Sequence, residues 1–127
     1  MPYVEILAPR AAESNKRVVT TAVTYGIVAS FGVDPSTVTI YFQSVEDGDY
    51  AHEGALGYGD VPARVFVKVH AYARSVEARR AAAQALTPAL AACFGTTTAN
   101  VAIYFLDRAR DEVAHDGHMA SDESAHA

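Results

Sequence analysis

The pattern of hydrophobic and polar positions predicts the same order of elements twice along the chain. Short segments rich in β-branched and aromatic residues predict strands, and longer segments of helix-forming residues predict helices. The first half contains a predicted strand, helix and strand at residues 3–8, 13–30 and 37–43. The second half contains a predicted strand, helix and strand at residues 63–71, 75–94 and 101–106.

The two halves also share short sequences at a nearly constant spacing. The sequence VTIYF at 38–42 recurs as VAIYF at 101–105, and FG at 31–32 recurs with the same spacing at 94–95. The sequence RAAE at 10–13 recurs as RSVE at 74–77, with a spacing longer by one position. Three matches in the same order along the chain indicate an internal repeat, with a single one-residue insertion between Glu13 and Phe31.

The repeat predicts an α+β fold. A helix of this length between two strands is long enough for a parallel crossover, so each half is expected to be a β-α-β unit. Two such units would form a four-stranded sheet with both helices on one face. The other face would need a cover, and a closed oligomer is the ordinary solution.

One domain over residues 1–127 is therefore expected. It divides into a first repeat at 2–43, a linker loop at 44–62, a second repeat at 63–106 and a polar tail at 107–127. The linker and the tail are expected to fall outside the repeat. The linker is too long for a plain turn, so it is interpreted as a functional loop or a compact excursion of the chain.

Composition and charge exclude several classes of protein. The net charge is −5 and no basic stripe is present, so nucleic acid is not expected as a partner. No apolar run reaches about 18 residues, and the start of the chain has no basic segment, which predicts neither a membrane span nor a secretory signal. The single cysteine, Cys93, forms no internal disulfide, and His115 with His118 lacks a third ligand for a metal. A cytoplasmic protein without a metal is expected.

Several motifs give the chain a family resemblance. They are Pro2 directly after the initiator methionine, LAPR at 7–10, FGV at 31–33, LGYG at 56–59 and ARS at 73–75. Together with the repeat, these residues make the chain resemble the tautomerase superfamily, and most closely its malonate semialdehyde decarboxylase branch. The resemblance implies a homotrimer, an active site at the amino-terminal proline, and chemistry on small oxo acids without a cofactor.

Pro2 is the first candidate catalytic residue, and its chemistry depends on the removal of Met1. A free amino-terminal proline is a secondary amine. An α-amino group titrates near pH 8, and burial beside apolar groups disfavours its charged form. The neutral amine would act as a general base, whereas a protonated amine would donate a hydrogen bond to a carbonyl. The alternative interpretation is an ordinary proline at the start of a strand.

Two arginines are candidates for binding a carboxylate. Arg74 is the second candidate catalytic residue, because a guanidinium where a strand ends and a helix begins can bind a carboxylate through two parallel hydrogen bonds. The alternative is a solvated residue at the helix start, although the helix dipole disfavours a cation there. In the resembled decarboxylase two arginines stand here, and Tyr72 occupies the place of the first, so Tyr72 is expected to line the pocket. Arg10 holds the equivalent place in the first half. In the related 4-oxalocrotonate tautomerase, an arginine there serves a neighbouring subunit's site; the alternative is a surface charge.

Other positions depart from the resembled enzymes. Thr37 stands where the decarboxylase has an aspartate, and Thr39 where the tautomerase has its second arginine. Tyr104 matches a strand tyrosine of cis-3-chloroacrylic acid dehalogenase and is a further candidate substrate-binding residue, with packing as its alternative. The late glutamate of that dehalogenase falls near His115, so hydrolytic dehalogenation is not expected.

Three functions remain open on the sequence alone. The leading hypothesis is keto–enol tautomerisation or isomerisation of a small oxo acid, with Pro2 transferring the proton. The second is decarboxylation of a 3-oxo acid, in which protonated Pro2 and Arg74 stabilise the enolate. The third is a trimeric scaffold or binding module that has the fold without the chemistry, since fold does not determine function.

Overall fold

The computed structural model describes residues 2–123. Met1 and residues 124–127 lie outside the described residues, and so do the expectations that concern them, namely the removal of Met1 and the very end of the polar tail.

A four-stranded mixed sheet forms the centre of the molecule. The first half consists of β1 (Tyr3–Ala8), α1 (Glu13–Phe31) and β2 (Thr39–Ser44), followed by a hairpin of β3 (Ala51–His52) and β4 (Ala55–Leu56). The second half consists of β5 (Val65–Tyr72), α2 (Val76–Cys93) and β6 (Val101–Arg108), followed by a hairpin of β7 (Ala114–His115) and β8 (His118–Met119). The main sheet has the order β2-β1-β5-β6.

Strand directions confirm the predicted pair of β-α-β units. β1 and β2 are parallel, β5 and β6 are parallel, and the two units meet through antiparallel pairing of β1 with β5. Both helices pack on one face of the sheet, as the repeat predicts. Because β1 and β5 run in opposite directions, the start of β1 lies beside the end of β5, with Tyr3 opposite His70.

The alternation of side chains along the strands separates a core from an outer face. On the helix-facing side, the side chains of β1 and β5 are almost completely buried; they are Val4, Ile6, Ala8, Val65, Val67, Val69 and Ala71. They pack against buried residues of the two helices, Val19, Val23, Ile27, Leu86 and Leu90 among them. The fold therefore has one hydrophobic core, shared by both repeats.

Helix ends follow the residues expected to stop or start them. α1 ends at Gly32, which has left-handed backbone angles and donates its N–H to the carbonyl of Val28 at 3.0 Å. α2 begins at the cap residue Ser75, whose Oγ accepts the N–H of Ala78 at 3.2 Å. Where the helices touch, a Cβ atom on Gly26 would lie 2.7 Å from Leu86 Cδ1, so only glycine permits this close approach.

The expectation that the linker and the tail fall outside the repeat needs correction. A single 3₁₀ turn at Asp47–Asp49 precedes the first hairpin, and another at the equivalent place, Arg110–Glu112, precedes the second. Both hairpins turn through two residues with positive φ, Glu53-Gly54 at 53° and 78° and Asp116-Gly117 at 52° and 77°. These are the angles of the tight turn that suits a two-residue hairpin. The structural repeat thus continues to the end of each hairpin.

The outer face of the sheet carries aromatic side chains that solvent reaches in the single chain. Tyr41, Phe66 and Tyr104 are 57%, 40% and 55% exposed. On the same face, His70 is buried and forms hydrogen bonds with Glu5 and Arg108. No helix within residues 2–123 is both long enough and apolar enough to cross a membrane.

Candidate active site

A cavity of about 440 Å³ opens at the end of the sheet where β1 and β2 begin and β5 ends. The described residues that line it are Pro2, Tyr3, Ser36, Thr37, Thr39, Tyr72, Val113, His115, Ala120 and Glu123. Pro2 is completely buried, and its carbonyl accepts the backbone N–H of Thr39 at 3.3 Å. Pairing with β2 therefore holds the first described residue against the cavity.

A 3₁₀ turn between α1 and β2 supplies the hydroxyl groups of Ser36 and Thr37. Asp34 caps this turn, because its Oδ1 accepts the N–H of Ser36 at 2.9 Å and its carbonyl accepts the Thr37 hydroxyl at 2.7 Å. Hydrogen bonds from the backbone N–H and the side chain of Ser36 lower the pKa of Asp34, with a smaller opposing effect of burial. Asp34 stays ionised and keeps the turn in place.

The segment after β6 supplies the remaining wall of the cavity. The N–H of Ala120 donates to the carbonyl of Val113 at 2.8 Å, which closes the hairpin at its base, and the Ala120 side chain is buried. The guanidinium of Arg110 lies 4.5 Å from the centre of the Tyr72 ring, a cation–π contact that ties this segment to the end of β5. His115 and Glu123 enter the cavity wall from this segment.

A partly buried polar network centred on His70 supports Tyr3, the residue beside Pro2. The Tyr3 ring stacks on the His70 ring with centroids 4.2 Å apart. His70 Nε2 lies 2.6 Å from a carboxylate oxygen of Glu5, and its Nδ1 lies 3.1 Å from Nη2 of Arg108. Since a guanidinium can only donate, Nδ1 accepts from Arg108 and the Nε2–H donates to Glu5. Both nitrogens of the imidazole are thereby fixed, and so is the ring on which Tyr3 stacks.

Of the predicted site residues, Pro2 and Tyr72 meet in the cavity. Arg74 lies nearby, but its guanidinium turns towards backbone carbonyls: Nη1 donates to Tyr72 at 2.9 Å and Ala73 at 3.3 Å, and Nε donates to Phe31 at 3.4 Å. It also stacks over the Phe31 ring at 5.1 Å. In this arrangement Arg74 is not among the described residues that line the cavity.

The other two predicted residues lie farther away in the single chain. Arg10 follows the opposite end of β1, where it forms an exposed ion pair of 2.6 Å with Glu46. Tyr104 lies on the outer face of β6, edge-on to Phe66 with ring centroids 5.2 Å apart. Their assignment to a substrate site stays a prediction.

His115 and Glu123 are the site residues that the sequence interpretation misses. It considers His115 as half of a metal pair and as the residue near the late glutamate of the dehalogenase, and it places the tail outside the repeat. A signal is nevertheless present, because the sequence HEG at 52–54 recurs as HDG at 115–117, with the spacing of the other repeated segments. An acidic residue followed by glycine is typical of the tight hairpin turn observed at both places.

Comparisons with known proteins now test the resemblance. No protein-family model matches the sequence, and no curated protein matches it. Solved structures do: a fused 4-OT asymmetric trimer has a TM-score of 0.85 and 16% identity, covering 94% of this chain and 96% of that one. Pt0534 inactivated by 2-oxo-3-pentynoate has a TM-score of 0.83 and 20% identity, with the same coverage. Malonate semialdehyde decarboxylase has a TM-score of 0.74 and 18% identity, covering 94% of each chain.

These matches define the class of protein by its fold. The chain has the fold of the tautomerase superfamily, as the resemblance implied. It is similar in fold to fused 4-OT structures and to malonate semialdehyde decarboxylase.

Proposed function

We propose that the chain is a cofactor-independent proton-transfer enzyme, a keto–enol tautomerase or isomerase that acts on a small oxo acid. The observation that supports this most is the complete burial of Pro2 at a cavity large enough for a small substrate. Cavities where aromatic rings and several polar groups converge are usual sites of small-molecule chemistry.

Pro2 would transfer the proton once Met1 is removed. The amine would take a proton from the carbon next to the substrate carbonyl and return it to another carbon. Apolar groups in the same cavity wall, Val113 and Ala120 among them, would disfavour the charged amine, and a neutral amine suits a general base. The hydroxyl group of Tyr72 lines the same cavity and is the candidate donor to the enolate oxygen, because those of Ser36 and Thr37 already donate to Asp34.

The similar structures support both the substrate class and the assembly. Pt0534 is inactivated by 2-oxo-3-pentynoate, itself a small oxo acid, and a fused 4-OT forms a trimer. We therefore infer a homotrimer, with the aromatic outer face of the sheet inside the assembly. In a trimer, Arg10 would approach the site of a neighbouring copy, as the resemblance implies.

Decarboxylation of a 3-oxo acid is the second candidate, favoured by the similarity to malonate semialdehyde decarboxylase. The same cavity would serve, with protonated Pro2 stabilising the enolate left after carbon dioxide departs. Thr37 and Tyr72 count against it, because they stand where the decarboxylase has charged residues.

The first experiment is the intact mass of the purified protein, followed by assays of two substrates. We expect a mass that lacks methionine, ketonisation of the enol of phenylpyruvate, and a loss of about a hundredfold or more in Pro2→Ala, the usual contribution of a general base. Pro9→Ala is the matched control and should keep its activity, because Pro9 is not among the described lining residues.

Two results would redirect the proposal. Carbon dioxide release from malonate semialdehyde without ketonisation would favour the decarboxylase. A retained methionine would leave Pro2 as an amide nitrogen and would favour the non-catalytic scaffold.

A further inference from the structure

The described wall of the cavity contains only two side chains of basic or acidic type. Among the described lining residues, His115 is the only one with a basic side chain, and Glu123 is the only acidic one. The remaining polar lining groups are the hydroxyls of serine, threonine and tyrosine. An oxo acid in this cavity therefore has a single basic side chain of this chain to meet its carboxylate, apart from the Pro2 amine itself.

The arginines near this end of the sheet are directed elsewhere. Arg74 donates to three backbone carbonyls, and Arg108 donates to His70. Arg110 lies over the Tyr72 ring and is not among the described lining residues. None of these guanidinium groups takes part in the described wall of the cavity.

The hairpin that carries His115 is well fixed. The Asp116-Gly117 turn places His115 opposite His118 in the β7–β8 pair, and the hydrogen bond from Ala120 to Val113 closes its base. The buried Ala120 side chain anchors the hairpin against the molecule. The backbone that carries His115 is therefore ordered before a ligand binds, which lowers the cost of ordering the site.

We propose that His115 binds the carboxylate of the substrate, and that the substrate is a monocarboxylic oxo acid. The inference rests on the proposed function, because it assumes that the oxo acid reacts at Pro2. One basic group matches one carboxylate. Glu123 adds a carboxylate to the same cavity, and this group would repel a second negative charge on the substrate. Tyr3, Tyr72 and the cross-strand His118 are the other titratable groups near His115.

Labelling by two alkynyl ketones separates carboxylate binding from the reactivity of Pro2. The probes are 2-oxo-3-pentynoate, which carries a carboxylate, and 3-pentyn-2-one, which has a methyl group in its place. In each, the Pro2 nitrogen adds to the β-carbon, electrons move to the carbonyl oxygen, and the proton lost by nitrogen ends on the adjacent carbon. No atom leaves, so the mass rises by one probe molecule.

The variants isolate His115 from its hairpin. In His115→Gln we expect the half-saturating concentration of 2-oxo-3-pentynoate to rise roughly ten- to hundredfold, the size of one charge-assisted hydrogen bond. The labelling rate at saturation and the reaction with 3-pentyn-2-one should not change. His52→Gln is the matched control, because His52 holds the equivalent position in the first hairpin. Glu123→Gln should strengthen binding of a dicarboxylic oxo acid, oxaloacetate, measured as protection against labelling.

Failure of this inference differs from failure of the proposed function. If wild-type Pro2 reacts with neither probe, the proposed function falls. If Pro2 reacts but His115→Gln binds 2-oxo-3-pentynoate as tightly as the wild type, the assignment of His115 is wrong. A weakened binding in Arg10→Ala alone would assign the carboxylate to an arginine from a neighbouring copy instead.

Discussion

The β3–β4 and β7–β8 hairpins have the same backbone conformation, but they differ in what surrounds them. Each follows a single 3₁₀ turn, and each is closed by an equivalent hydrogen bond, Gly57 to Tyr50 at 2.7 Å and Ala120 to Val113 at 2.8 Å. In the first hairpin Leu56 is 74% exposed, whereas the residues after the second form the wall of the Pro2 cavity. The repeat therefore contains two similar hairpins, and of these only the second borders the candidate site.

Side-chain size at equivalent positions accounts for the difference. Tyr50 and Tyr58 stack in the first hairpin with centroids 4.4 Å apart, and Val113 and Ser121 take their places in the second repeat. The Tyr50 hydroxyl accepts the backbone N–H of Arg64 at 3.1 Å, where the chain enters β5. Tyr50 and Tyr58 therefore fill the space at the end of the sheet where β5 begins. At the end where β5 terminates, the smaller Val113 and Ser121 leave room for the cavity.

The largest expected effect comes from giving the second hairpin the tyrosine of the first. Val113→Tyr should place a phenol ring in the cavity and slow the labelling of Pro2 by 2-oxo-3-pentynoate on the order of a hundredfold, since displacement of the reacting groups by about an ångström has this effect. Mass spectrometry measures the rate. Tyr50→Val is the control and should leave it unchanged; equal labelling in Val113→Tyr and the wild type would refute the role of side-chain size.

A smaller effect is expected from the glycines of the two turns. Alanine at Gly54 or Gly117 would keep a positive φ that costs an L-residue roughly 1–2 kcal/mol, and nothing else lies within 4 Å of a Cβ at either place. Urea unfolding should therefore show a similar loss of stability in both variants. Only Gly117→Ala should also weaken the binding of 2-oxo-3-pentynoate, since only its hairpin carries a lining histidine. Weaker binding in Gly54→Ala would mean that the hairpins do not differ in function.

The smallest expected effect is on how the stability of the protein depends on pH through Tyr58, which follows the first hairpin. Burial raises the pKa of Tyr58, and the charges of Tyr50, Glu46 and Asp47 raise it further. A raised pKa in the folded state gives stability that is fully present below the unfolded value near 10 and is lost as pH rises beyond it. Urea unfolding between pH 8 and 11 should show this loss, and Tyr58→Phe should reduce it. An unchanged profile in Tyr58→Phe would contradict the assignment.

The repeat was sufficient to predict the main sheet and helices, because strands and helices follow from the period of apolar residues. The hairpins were missed for a physical reason. Each of their strands has two residues, too few for a period, and their turns are defined by positive φ at Glu53 and Asp116, which residue type alone hardly records.

The site was predicted only in part. Pro2 and Tyr72 meet because strand order and direction bring the start of β1 to the end of β5. The direction of the Arg74 side chain could not be predicted, because it depends on carbonyl groups of the α1 terminus and of its own segment. His115 was missed because its place depends on how the chain returns over the sheet after β6.

The row of hydrogen bonds from Glu5 through His70 to Arg108 connects the interior surface of the proposed assembly with the cavity. Tyr3 stacks on His70, the middle residue of this row, and also lines the cavity beside Pro2. If copies of the chain assemble over this face, subunit association and substrate binding both involve the same four side chains. They are Tyr3, Glu5, His70 and Arg108. Any change in subunit affinity caused by a ligand must then be matched by an equal change in ligand affinity on assembly, because the coupling free energy is reciprocal.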